Sequence, residues 1–283
     1  MADHPALKPG NVAVITGGAS GIGLAAAKKY ASFGMKICLA DRNEDQLWQA
    51  VSEVSELTLT GADDVLAVAV DVSDMSQMEG LRENVYTTFG RVNVLMNNAG
   101  IGARAGSWDG YENWQKTLNT NLWGVINGVQ AFTAAMLAQN TPGLIVNTGS
   151  KQGITCPPGN TPYNVSKAAV KALTEGLQHS LRNEPGCQIS AHLLVPGFVY
   201  TGMMKAHLPE KPPGAWTPEQ TIDHMLERIA NGDFYILCPD NEVTPEMDRQ
   251  RILWAAGDLV ENRPALSRWH PDYQQAFAEF IKG

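Results

Sequence analysis

Short, continuous apolar runs recur along the chain, each separated from the next by a longer stretch of helical periodicity. Val12–Ile15, Lys36–Ala40, Val65–Val70, Val94–Met96, Leu144–Asn147, Gln188–Val195 and Phe234–Leu237 read as strands. Strands covered on both faces carry apolar residues at successive positions, as these do. Helical patterns lie between them: one reaching Phe33, one from Glu44, Ser76–Phe89, a long one over Tyr111–Ala138, and one from Thr217. Repeated alternation of strand and helix admits few topologies. With right-handed crossovers it gives an α/β fold, a doubly wound, mostly parallel seven-stranded sheet with helices on both faces. After Pro239 one or two amphipathic helices carrying Trp254 and Trp269 are expected as a C-terminal extension of the same domain.

Composition narrows the function. The formal net charge of the 283 residues is -8 and no basic run occurs, so nucleic acid is not an expected partner. No apolar stretch reaches the roughly 18 residues of a membrane span. Met1-Ala2-Asp3-His4-Pro5 lacks the features of a secretory signal, and a cytoplasmic location is the expectation. The four cysteines form no C-x-x-C pair and the six histidines no H-x-x-x-H, so no metal site is expected.

Thr16-Gly17-Gly18-Ala19-Ser20-Gly21-Ile22-Gly23 follows the first strand and opens a helix. Glycine at such a turn permits positive φ and a close approach to a pyrophosphate, which the free N–H groups of the helix start would receive. The same sequence also suits a plain tight turn. Asp41, at the end of the second strand, is placed to accept hydrogen bonds from adenosine ribose hydroxyls and to repel a 2′-phosphate. That favours NAD over NADP. Asp41 could instead cap the following helix, and Arg42 could pair with a phosphate.

Tyr163 and Lys167 stand four residues apart on a helical pattern and so share a face. An ammonium beside a phenol stabilises the phenolate and lowers its pKa toward a working range. Ser150 ends the fifth strand, Asn97-Asn98-Ala99-Gly100 the fourth and Pro196-Gly197 the sixth, all at the carboxyl edge where open sheets bind ligands. Asn121 falls inside the long helix, a poor place for Asn, which suggests a kink or a polar role.

Taken together, T-G-G-A-S-G-I-G, Asp71-Val72, N-N-A-G, the N-T-N-L segment, G-S-K-Q-G, Y-N-V-S-K and P-G-F-V-Y-T resemble the short-chain dehydrogenase/reductase family over about residues 10 to 240. The resemblance implies a Rossmann-type dinucleotide-binding catalytic domain over 1–240, with 241–283 as its helical extension. It implies a catalytic tetrad as well. Tyr163 would be the general base or acid, and Lys167 would tune it and bind the nicotinamide ribose. Ser150 would orient the substrate oxygen, and Asn121 would hold a water in a proton relay through Lys167.

By the same carry-over Asp71 and Val72 would hold the adenine, Asn98, Ala99 and Gly100 would line the cofactor, and Pro196, Gly197, Val199 and Thr201 would flank the nicotinamide. The implied reaction moves a hydride between nicotinamide and a secondary alcohol or ketone. Members are commonly tetramers, so a homo-oligomer, dimer or tetramer, is expected. Ile101, Gln152, Ile154, Cys156, Phe198, Met203, Met204 and Trp216 are the expected substrate pocket; their apolar character suits a bulky hydrophobic or aromatic alcohol. Arg104 and His207 could meet a polar substituent or simply be solvated. The alternatives are a catalytically idle NAD-binding sensor or scaffold, and an NADPH-dependent ketone reductase of the same fold.

Overall fold

The computed structural model describes residues 4–205 and 208–282. Its seven strands are β1 (Val12–Thr16), β2 (Lys36–Asp41), β3 (Val65–Ala69), β4 (Val94–Asn97), β5 (Gly143–Thr148), β6 (Ile189–Val195) and β7 (Tyr235–Leu237). They form one sheet in the order β3-β2-β1-β4-β5-β6-β7, and every pairing is parallel. The chain winds outward from β1 in one direction and then restarts at β4 in the other. Between these two strands lies the crevice where such sheets bind ligands.

Alternate strand residues enter two different layers, because successive side chains in a strand point to opposite faces. Ala13, Ile15, Leu39, Met96 and Val146 face one layer with Ala26, Tyr30, Leu47, Val54, Ile222 and Met225. These helical residues come from α1 (Gly21–Ser32), α2 (Glu44–Ser55) and, later in the chain, the helix Pro218–Ala230. Val12, Val14, Leu95 and Ile145 face the other layer with Met78, Leu81, Val85, Phe132 and Met136. The two edge strands depart from the expected full burial. The residues of β3 are half-buried or exposed and β7 buries only Ile236, since an edge strand has a sheet neighbour on one side alone.

Local signals set the helix ends. Asn43 caps α2 by accepting from Gln46 N–H (3.1 Å), and Asp74 caps α3 (Met75–Phe89), which stops at Gly90 with φ 75°. The long helix expected over Tyr111–Ala138 is three pieces: α4 (Tyr111–Leu118), a π-helical turn at Asn119–Trp123, and α5 (Gly124–Ala138). Then follow α6 (Gln152–Thr155), α7 (Thr161–Asn183), which has Pro162 in its first turn, and the short α8 (Gly202–Lys205). Thr217 and Gln220 form a capping box on α9 (Pro218–Ala230).

After β7 come α10 (Pro245–Val260), 3-10 turns at Ser267–Trp269 and Pro271–Tyr273, and α11 (Gln274–Phe280). Trp269 therefore sits in a turn, while Trp254 on α10 is the buried centre of this extension. Its indole donates to Ser267 (2.7 Å), its ring meets Phe277 and Phe280 edge-on, and Arg263 stacks over it at 4.2 Å. The extension is held to the body where Asp248 on α10 pairs with Lys151 at 2.5 Å.

A buried amide chain crosses the sheet at its carboxyl edge. Asn97 donates to Asn147 (2.9 Å), and Asn147 donates to Thr174 on α7 (3.1 Å). Gly128 of α5 lets that helix lie on Asn97, since a Cβ there would stand 2.0 Å from the Asn97 Oδ1 atom. Gly128→Ala is therefore expected to lower stability by about 1–3 kcal/mol through overpacking. A thermal unfolding midpoint equal to that of the wild type would show that α5 can shift aside.

Candidate active site

The seam between β1 and β4 is stitched by one hydroxyl. Thr16 Oγ1 donates to the Met96 carbonyl (3.4 Å) and accepts from the N–H groups of Asn98 (3.0 Å) and Ala99 (3.2 Å). The Asn98 side chain returns the contact, donating to the carbonyls of Thr16 (3.2 Å) and Gly17 (3.4 Å) and accepting from the Thr148 hydroxyl on β5 (3.4 Å). Three strand ends are thus fixed relative to one another. Gly17, at φ 64°, allows the approach, because a Cβ there would come within 2.8 Å of Ala99 Cα.

Ser20 precedes α1 but its side chain makes no capping bond, and the first turn holds no acidic residue. The helix start is therefore left open for an anion. Asp41 does not cap α2, a task that falls to Asn43. Its carboxylate instead accepts from Ala19 N–H of the glycine turn (3.2 Å) and from Asn43 N–H (3.1 Å). The end of β2 is thereby tied to the turn after β1. Arg42 beside it is exposed.

These groups line one end of a cleft of about 850 Å³. Asp41, Arg42, Asp71 and Val72 lie along its wall together with Val70 and Gln46. Gly17, Ser20, Gly21, Ile22, Asn98, Ala99 and Gly100 continue it, and Ser150, Tyr163, Lys167, Pro196, Gly197, Val199 and Thr201 complete it. Gly23 is not on the lining; it packs inside the turn, where a Cβ would stand 2.2 Å from the Gly17 carbonyl. Asn121 is also set back, fully buried behind the lining. Its Oδ1 accepts from Ile101 N–H (2.8 Å) and its amide donates to the Ile101 carbonyl (3.0 Å), so the π-helical turn pins the loop after β4.

Tyr163 and Lys167 lie one turn apart on α7, with the ammonium 5.8 Å from the phenol ring centre. Burial raises the Tyr163 phenol above its ordinary pKa, and a hydrogen bond with Ser150 offsets part of the rise. Desolvation is the larger influence, and the lowering comes from Ser150 rather than from Lys167. Lys167 is itself lowered to about 8 by burial, and it donates to the Thr148 carbonyl at 2.7 Å. Ser150 accepts from Gln152 N–H (3.2 Å), which sets its hydroxyl at the start of α6.

Of the expected substrate pocket, Ile101, Gln152, Phe198 and Met204 line the cleft, as does Arg104. Three others are drawn elsewhere. Ile154 packs into the cluster of Val125, Val170, Leu193 and Val195. Cys156 ends α6 in the left-handed region at φ 47°. Trp216 packs on the core and meets His224 edge-on at 5.6 Å. The side chain of Met203, and His207 altogether, lie outside the described residues. Sequence reasoning missed Lys151, Asn160, Asp240, Val243 and Arg251, all of which line the cleft. Adjacency to Ser150 signalled Lys151; nothing in the local sequence signalled the last three.

A doubly wound parallel sheet with an open helix start and a carboxylate at its switch-point cleft defines a Rossmann-type dinucleotide-binding fold. The model of the family "short chain dehydrogenase" matches residues 11–212, and the chain belongs to this family of oxidoreductases. The 3-oxoacyl-(acyl-carrier-protein) reductase of Thermotoga maritima is 36% identical over 255 residues, covering 88% of this chain and 91% of that protein. A short chain dehydrogenase/reductase from Burkholderia phymatum, solved in complex with NAD, is 34% identical with a TM-score of 0.81, covering 90% of this chain and 96% of that one. The apo form of LigD from Sphingobium sp. strain SYK-6 is 26% identical with a TM-score of 0.75, covering 89% and 97% respectively. No helix among the described residues is long and apolar enough to cross a membrane.

The lowered Lys167 has a consequence for stability. Between about pH 8 and its ordinary value of 10.5 the folded chain binds fewer protons than the unfolded one. Stability contributed by this site therefore rises with pH across that window, and the burden of a buried charge is full below it. The stability of Lys167→Met relative to wild type, from urea unfolding, is expected to decline steadily from pH 8 to pH 10. A difference that stays constant over that range would mean the ammonium is not desolvated.

Proposed function

We propose that the chain is an NAD-dependent dehydrogenase acting on a bulky hydrophobic or aromatic secondary alcohol, or on the matching ketone. The observation that carries this reading is one continuous cleft with Asp41 at one end and Ser150, Tyr163 and Lys167 at the other. The residues present fit a nicotinamide dinucleotide. The open start of α1 suits a pyrophosphate, and Asp41 offers a carboxylate to ribose hydroxyls. When bound, the cofactor takes up or gives up the hydride, chemistry no side chain supplies.

The chain's own residues hold and move the proton. Tyr163 takes it from the alcohol oxygen in oxidation and returns it in reduction. A phenol raised by burial is protonated at neutral pH, so reduction finds its acid ready. Oxidation needs the phenolate, which the Lys167 charge and the Ser150 hydroxyl stabilise. Ser150 also orients the substrate oxygen. Asn121 holds the Ile101 segment against the cleft and would hold a water in a proton relay through Lys167. Asp71 and Val72 hold the adenine, while Pro196, Gly197, Val199 and Thr201 flank the nicotinamide. Apolar Ile101, Phe198, Met204, Leu208 and Val243 form the substrate walls.

A homo-oligomer accords with the exposed apolar side chains Tyr235, Leu253, Leu259 and Val260 on β7 and α10. A second reading, an NADPH-dependent ketone reductase, draws on the exposed Arg42 next to Asp41. Tryptophan fluorescence titration separates the two. Wild type is expected to bind NADH at least about tenfold tighter than NADPH, and Asp41→Ala to erase that preference by losing both the ribose contact and the repulsion of a 2′-phosphate. Oxidation of 1-phenylethanol should accompany it with NAD. Tighter NADPH binding in wild type would move the assignment to the reductase.

A further inference from the structure

Helix α10 of the C-terminal extension reaches the substrate end of the cleft through Arg251. Its neighbours on the lining are Lys151, Asp240 and Val243, and α10 packs against α6, which follows Ser150 and carries Gln152. The other buried or half-buried charges at this wall have assigned partners. Lys151 lies 2.5 Å from Asp248 and 3.8 Å from Asp240. The Asp240 carboxylate is further used by the N–H groups of Phe198 (3.3 Å), Glu242 (3.1 Å) and Val243 (2.7 Å). Arg268 is held by stacking over Trp269 at 4.7 Å and Phe277 at 5.1 Å.

Arg251 has no such use. Among the described residues its guanidinium makes no ion pair and no hydrogen bond, and its Nε is buried without a partner. It acts on Asp248 and on Arg268 only through space. The buried and half-buried charges here are three cations (Lys151, Arg251 and Arg268) against two carboxylates (Asp240 and Asp248), leaving one positive charge over. Burial and the like charge of Arg251 also pull Arg268 down, a sign that this excess is felt. A buried donor without an acceptor is unfavourable, and a guanidinium fork matches a carboxylate in two parallel hydrogen bonds.

We propose that Arg251 is a specificity-determining residue that receives a carboxylate carried by the substrate on the far side of its apolar body from the reacting carbon. A single excess charge matches a monoanion better than a doubly charged phosphate. The cleft then reads as three zones: the proton-transfer groups Ser150 and Tyr163, the apolar walls of Phe198 and Met204, and the cation of Arg251. This deepens the function proposed above and rests on it for the direction in which substrate lies.

The test uses 4-acetylbenzoate and its methyl ester, one charged and one neutral, bound to the full-length protein saturated with NAD, the oxidised form from which a ketone can take no hydride, and measured by calorimetry. The acid is expected to bind about tenfold tighter than the ester in wild type, the scale of a charge-assisted bidentate pair. In Arg251→Met the ratio should collapse to about one, and in Arg251→Lys it should recover only in part. Equal affinity of acid and ester in wild type, binding of neither, or a ratio unchanged in Arg251→Met would each overturn the assignment. The wild-type comparison stands even if a variant fails to fold. Oxidation of NADH by the ester is followed separately. Its absence beside an arginine-dependent preference for the acid would remove the proposed reaction and leave the anion site.

Discussion

The Thr16 hydroxyl bonds across the one seam in the sheet where the winding reverses, and the cleft depends on it. By serving Met96, Asn98 and Ala99 together it fixes the carboxyl ends of β1 and β4 within hydrogen-bonding distance. The glycine turn can then close on Ala99, which directs the start of α1 into the opening. Asn98 extends the same network to Thr148 of β5, whose carbonyl in turn receives Lys167. One polar path therefore runs from the glycine turn at one side of the cleft to Lys167 at the other. Each member is buried or half-buried, so losing one leaves partners that water cannot easily satisfy.

Burial acts on the two titrating groups of α7 in opposite directions, raising Tyr163 and lowering Lys167. Both shifts disfavour the charged form of the group. The groups that resist them are few: the Ser150 hydroxyl for the phenol and the Thr148 carbonyl for the ammonium. Low dielectric also strengthens whatever charge pairing occurs there. The same trade recurs at the far wall, where Lys151 is neutralised by Asp248 from the C-terminal extension. That ion pair makes the extension part of the cleft's electrostatics.

Much of the fold was legible because buried strands leave apolar runs. The seven runs became seven strands, with ends such as Thr16, Asn97 and Thr148 shifted by one residue because hydrogen bonding continues past the apolar stretch. The break at Asn119–Trp123 was readable only as an ill-placed Asn121, since a π-helical turn has no composition of its own. Residues at strand ends fell on the cleft as their positions suggested. Ile154, Cys156 and Trp216 did not: Ile154 on α6 packs with Val170 and Leu193, and Trp216 found the core and His224. Arg251 was out of reach altogether: it is brought to the cleft by contacts between segments far apart in the chain.

The central claim, that Tyr163 and its neighbours complete a hydride transfer begun in this cleft, is tested most directly by following the atoms. Wild type and Tyr163→Phe are each incubated with acetophenone and NADH deuterated on the transferring face of C4, and the alcohol is analysed by mass spectrometry. The account predicts one deuterium on the carbinol carbon for wild type, and formation slowed by about 10²–10⁴-fold in the variant. Deuterated alcohol formed at equal rates by both proteins, or none formed by a wild type that binds NADH, would contradict it.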